Sequence, residues 1–152
     1  MVSGSLPEKT TQMTDDAFAR AFEDGTITPA EFTHLAHVRV AWVYLHEAES
    51  TDRALARMRT GIQRFAAAAG AAQKYHETIT VVWMRLLEDV RSQGASGELT
   101  DVLRAYPALA DKDLPLQYYS RDRLFSDEAR AAWVEPDRRP LRVIASQATE
   151  AS

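Results

Sequence analysis

Cysteine is absent from all 152 residues. That removes disulfides, thiolate metal ligands and a cysteine nucleophile. The lack fits a reducing cytoplasm, which is the expected compartment. No window approaches the roughly 18 apolar residues of a membrane-spanning helix, and Met1 to Gln12 lacks the apolar stretch of a secretory signal. Basic charge is not in excess. Eighteen Lys and Arg stand against 22 Asp and Glu, a net charge of −4, so the generic electrostatics of nucleic-acid binding are missing. Glycine is sparse, and Gly61, Gly70, Gly94 and Gly97 are too scattered for a phosphate loop or a dinucleotide fingerprint. No nucleotide cofactor is expected. Alternation at period two is also lacking, so nothing calls for a sheet.

What is present is helical periodicity. Hydrophobic residues make up 45% and charged residues 26%, a balance that sustains one folded core rather than a disordered chain. The expected organisation is a flexible segment over residues 1–13, one all-α helical domain over 14–141 and a flexible tail over 142–152, with four main helices and some short ones around a single core. Thr14 caps a first helix over residues 15–23, with Gly25 just past its end. Thr28-Pro29-Ala30-Glu31 reads as a capping box opening a second helix that runs to Glu47. A third spans 52–69 and a fourth 73–92. A shorter one covers 98–105 and stops before Pro107. Residues 108–120 read as loop or short turns, and Ser126 caps a last short helix through Trp133.

Chemistry concentrates on the second and fourth helices. On the second, His34, His37, Val38, Ala41, Tyr44 and Leu45 share one face, while Phe32, Ala36, Val40 and Val43 cover most of another. A helix apolar nearly all round is central and buried, so His34 and His37 project into protein and His46 faces water. On the fourth, His76 shares a face with Ile79, Thr80, Trp83, Leu87 and Val90, with Glu77 at its edge. A buried imidazole without a partner costs about 1–3 kcal/mol. Three of them call for one polar pocket inside the protein. The plainer reading of any one is a hydrogen-bonded core residue.

Two chemistries suit such a cluster. His34 and His37, one turn apart, can reach a single ion with His76 as a third ligand, leaving Zn or Fe an open position for lyase or hydrolase chemistry. The expected site therefore has His34, His37, His76 and Glu77 as catalytic residues, the three histidines doubling as metal ligands. The alternative is metal-free acid–base catalysis, such as a condensation or cyclisation, with tyrosine hydroxyls nearby. Tyr44, Tyr75, Thr80, Trp83, Tyr118, Tyr119 and Arg39 are the candidate substrate contacts, Arg39 for a carboxylate. A third possibility is a non-catalytic binding or regulatory module. Ser120 and Ser126 lack the surround of a nucleophile elbow and read as caps. Arg53, Arg57 and Arg64, followed by Lys74, read as a solvated face or an anion site.

The segments Phe32-Thr33-His34-Leu35-Ala36-His37-Val38-Arg39, Lys74-Tyr75-His76-Glu77-Thr78 and Tyr118-Tyr119-Ser120 with Arg123-Leu124-Phe125-Ser126 resemble those of a group of short bacterial helical proteins with no established activity. The resemblance covers residues 31–141. It implies that the three segments belong together, the third as a lid or wall over the pocket. The Ala- and Arg-rich composition points to a bacterial source and specialised metabolism. The expected partner is a small-molecule substrate, with neither nucleic acid nor membrane.

Overall fold

The computed structural model describes residues 13–142, and among them every regular element is helical. The two flexible termini expected from the sequence fall, apart from Met13 and Arg142, outside the described residues. The seven α-helices among the described residues are α1 (Asp15–Asp24), α2 (His34–Glu47), α3 (Thr51–Ala68), α4 (Glu77–Ser92), α5 (Leu99–Ala105), α6 (Arg121–Leu124) and α7 (Asp127–Ala131). Short 3₁₀ turns lie at Pro29–Glu31, Ala72–Lys74, Pro107–Ala110 and Leu114–Gln117. No helix among the described residues is long and apolar enough to cross a membrane.

Helix α2 is the axis of the packing. It touches α1, α3 and α4, and α3 and α4 also touch each other. Its buried residues (Ala36, Val38, Val40, Ala41, Trp42, Val43, Tyr44 and Leu45) point to all sides, as its continuous apolar composition requires. Trp42 and Trp83 are the largest fully buried side chains among the described residues, and Trp42 donates its indole N–H to the Gly97 carbonyl at 2.9 Å. The C-terminal third wraps over α4. Thr78 Oγ1, fully buried, donates to the Ala132 carbonyl at 2.8 Å and accepts the Val134 N–H at 3.2 Å. Tyr118 and Tyr119 hold the same layer, donating to the carbonyls of Arg142 and Val134.

Two expected helices are interrupted at their starts. The capping box of Thr28 and Glu31 forms, with Pro29 in the first position, but it caps only a 3₁₀ turn. Phe32 leaves helical geometry at φ −89°, ψ 71°, and Thr33 caps α2 afresh by accepting the Ala36 N–H. The break lets the Phe32 ring stack on Phe22 at 5.0 Å and meet Phe65, tilted, at 4.8 Å. The helix expected from residue 73 breaks likewise. Gly70, at φ +73°, releases the chain from α3. The Ala72–Lys74 turn follows, then extended backbone at Tyr75 and His76. His76 is therefore the N-cap of α4 and not a member of its apolar face. A further short helix, α6, follows the stretch read as loop or short turns, and Ser120 caps it in the role expected of that residue. Ser126 caps α7, as expected.

Gly61 of α3 sits against Phe22. A Cβ there would lie 2.8 Å from Phe22 Cε2, and Phe22 is pinned by Phe32 and Phe65. Alanine normally favours a helix over glycine by about 1 kcal/mol, but overpacking a fixed ring costs about 1–3 kcal/mol. Gly61→Ala should therefore lower the unfolding free energy by about 1 kcal/mol, read from the urea midpoint. An increase would show that the aromatic trio yields.

Candidate functional site

The two interruptions bring the histidines together. Thr33 places His34 in the first turn of α2, with His37 one turn on, while the extended strap at Tyr75 and His76 crosses beside them. His34, His37 and His76 line one recess of about 260 Å³. Phe32, Ile62 and Ile79 give it apolar walls, and Thr33, Tyr75, Thr80 and Lys74 complete it.

Each imidazole is held differently. Carbonyl oxygens can only accept, so His34 must carry its proton on Nε2, which donates to the Leu109 carbonyl at 3.0 Å. Its ring lies 4.6 Å from Trp83. Burial lowers its pKa, against the opposing pull of the Leu109 carbonyl. His76, 8% exposed, uses both nitrogens. Nδ1 accepts the Ile79 N–H at 3.1 Å and Nε2 donates to the Leu124 carbonyl at 2.7 Å. That pair of bonds fixes the neutral tautomer, and burial lowers the pKa in the same sense. His37 Nε2 is buried and has no hydrogen-bond partner among the described residues. Burial, with His34 as a second cause, brings the His37 pKa down to about 4. All three rings are thus neutral at physiological pH.

Glu77 stands aside from the recess. Arg59 grips it bidentately, with Nε at 2.9 and Nη2 at 2.6 Å, and Tyr75 donates to its Oε1 at 2.6 Å. The Arg59 hydrogen bonds hold its pKa below the usual carboxylate range, against desolvation. Burial and this bond push the Tyr75 hydroxyl up to about 12. The expected metal centre finds no ligand set: among the described residues no group of three or more His, Asp or Glu is placed to hold an ion. The physical reason is that His76 has no nitrogen left to coordinate, and His34 keeps one on Leu109.

The other candidate contacts are dispersed. Thr80 lines the recess and donates its hydroxyl to the His76 carbonyl at 2.9 Å, while Trp83 lies in the core behind it, against the His34 ring. Tyr44 donates to Glu23 at 2.7 Å beneath the Arg57 guanidinium, in a separate depression between α1 and α3. Arg39 is engaged by Asp15, Nε to Oδ1 at 2.8 Å, and by the Met13 carbonyl. The hydroxyls of Tyr118 and Tyr119 go to backbone carbonyls of the C-terminal layer. The third segment does reach the site, through the Leu124 carbonyl and the edge of Phe125 on His76 at 6.5 Å. Sequence reasoning missed Arg59, whose pairing with Glu77 joins residues 18 apart on different helices. It also missed the Leu109 and Leu124 carbonyls, since a backbone acceptor leaves no mark in residue type. No family model, no curated protein and no solved structure matches the chain.

The three lowered imidazoles couple stability to pH. Their folded pKa values lie below the unfolded value of 6.5, so the unfolded chain binds more protons in the interval between. The contribution is complete above pH 6.5 and is lost as pH falls, for His37 down to about pH 4. The carboxylates Glu23, Glu47 and Glu77, also lowered, act only near and below their usual 4.5. Between pH 7 and pH 5 the unfolding free energy should drop by about 2 kcal/mol on account of His37. Urea titrations of the native chain and of His37→Leu check this. A slope that survives unchanged in the variant would assign the effect elsewhere.

Proposed function

We infer that the chain acts on a small molecule at the histidine recess, by acid–base chemistry that needs no metal ion. The observation that carries this reading is the buried Nε2 of His37, unpartnered among the described residues, on a recess walled by Phe32, Ile62 and Ile79 and by hydrogen-bonded polar groups, with Lys74 the exposed exception. A buried polar atom without a partner costs about 1–3 kcal/mol, and a bound substrate group would relieve it. In its neutral form His37 can accept a proton from a substrate hydroxyl or amine, or donate one, according to its tautomer. His34 and His76, tied to carbonyls, fix the floor against which the substrate is oriented. Tyr75, hydrogen-bonded to the ionised Glu77, supplies a second hydroxyl at the rim. The four longer helices, α1 to α4, are read as a bundle that frames this site. A one-ring or short branched molecule suits its size, and a condensation or cyclisation suits a site offering proton transfer without an obvious nucleophile.

The reading is tested by incubating the purified chain with an extract of bacterial metabolites and following their depletion by mass spectrometry, with and without a chelator. The expected result is depletion of one species that persists in the chelator and falls at least a hundredfold, as loss of an acid–base group does, in both His37→Gln and His37→Phe. Thermal unfolding of each variant verifies that it is folded. Depletion abolished by the chelator and restored by Zn or Fe would transfer the reading to metal-assisted lyase or hydrolase chemistry. A species retained on the protein but recovered unchanged would make the chain a binding module.

A further inference from the structure

Lys74 brings the one formal charge to the lining of the histidine recess, because the three imidazoles beside it are neutral and Glu77 is turned to Arg59. Its side chain is exposed, and among the described residues no carboxylate lies within ion-pair distance of it. Its backbone, by contrast, is fixed from two sides. The Ala72–Lys74 turn packs on α3. From α7, Arg130 Nη1 donates to the Lys74 carbonyl at 3.2 Å and lies 3.5 Å from that of Tyr75. The charges around the recess are mixed on one flank and basic on the other. Asp111, Lys112 and Asp113 act on His34 from the Leu109 side, and Arg130 acts on His76. The strap that carries the unpaired ammonium is therefore positioned, in a chain whose net charge is −4.

Resting on the reading of this recess as the site of action, we propose that its substrate is a small carboxylate: an anion whose charge meets Lys74 at the mouth, whose apolar body lies between Phe32, Ile62 and Ile79, and whose far hydrogen-bonding group reaches Nε2 of His37. The chemistry gives the anion a second role. An imidazole whose conjugate acid is too strong makes a poor base near neutrality, and catalysis is most effective when the two are matched. A negative charge brought into a poorly solvated site favours the imidazolium form. A carboxylate substrate thus raises the basicity of the residue that acts on it, and a neutral molecule does not.

The experiment uses a panel of single-ring and branched aliphatic carboxylates, each paired with its primary amide, added at millimolar concentration to the labelled full chain. Ring resonances of His37 are followed by NMR across a pH series. The expected result is that carboxylates bind about fivefold more tightly than their amides, as an exposed ion pair supplies. Raised salt should narrow the ratio. Carboxylates alone should move the His37 titration upward. In Lys74→Gln the ratio should fall to about one while the chain remains as stable as the native protein, since the exposed Lys74 side chain makes no bond to another side chain among the described residues. Amides that bind as well as carboxylates and move the His37 ring would overturn the anionic substrate while leaving the acid–base site standing. A panel in which no member moves the His37 ring would overturn both.

Discussion

The imidazole of His76 accepts a backbone N–H from the first turn of α4 with one nitrogen and donates to the Leu124 carbonyl with the other. Few side chains can do both at once. A carboxylate or hydroxyl would cap the helix, and an amide could span the two groups only with a shorter reach. This one ring therefore starts α4, anchors the layer that follows α5, and forms part of the recess wall. The arrangement holds only for the neutral ring. A second proton would convert the accepting nitrogen into a donor facing another donor, and the cap would be lost.

His37 stands in the opposite condition. It lies on the central helix α2, one turn from a satisfied neighbour, with an atom that no described residue matches. Its ring is 6.1 Å from Phe32, which in turn stacks on Phe22 and packs, tilted, against Phe65. Close packing on one side and an opening on the other give the ring a fixed place without a hydrogen bond to define it. Groups kept at a cost to stability are a recurring mark of functional sites.

Much of this architecture could be read from residue order. Thr14 and Gly25 bracket α1, Ser126 starts α7, and the apolar circumference of α2 marks it as central. Helices α1 and α3 lie within a residue of where periodicity puts them, and α2 and α4 end where it puts them but start later. The interruptions at Phe32 and Tyr75 were not legible, because each depends on partners distant in the chain: the rings of Phe22 and Phe65 in one case, the Leu124 carbonyl in the other. The histidine cluster followed from burial on two helices, although His76 joins it from a cap and not from a helix face. The fates of Arg39 and Tyr44 were hidden for the same reason. A guanidinium or a phenol on an apolar helix announces that it needs a partner, and only the tertiary fold shows that Asp15 and Glu23 answer.

Asp15, buried at the start of α1, accepts from Arg39 with one oxygen and from the Leu99 N–H, at 2.6 Å, with the other, while its own N–H donates to Glu98 Oε1 at 2.9 Å. Glu98 itself forms no side-chain cap on α5. The two helices thus exchange the reciprocal contacts that a single helix usually makes within its own first turn. Neither start is complete without the other, so these distant stretches of chain order and melt as a joint, and fraying at one is transmitted to the other.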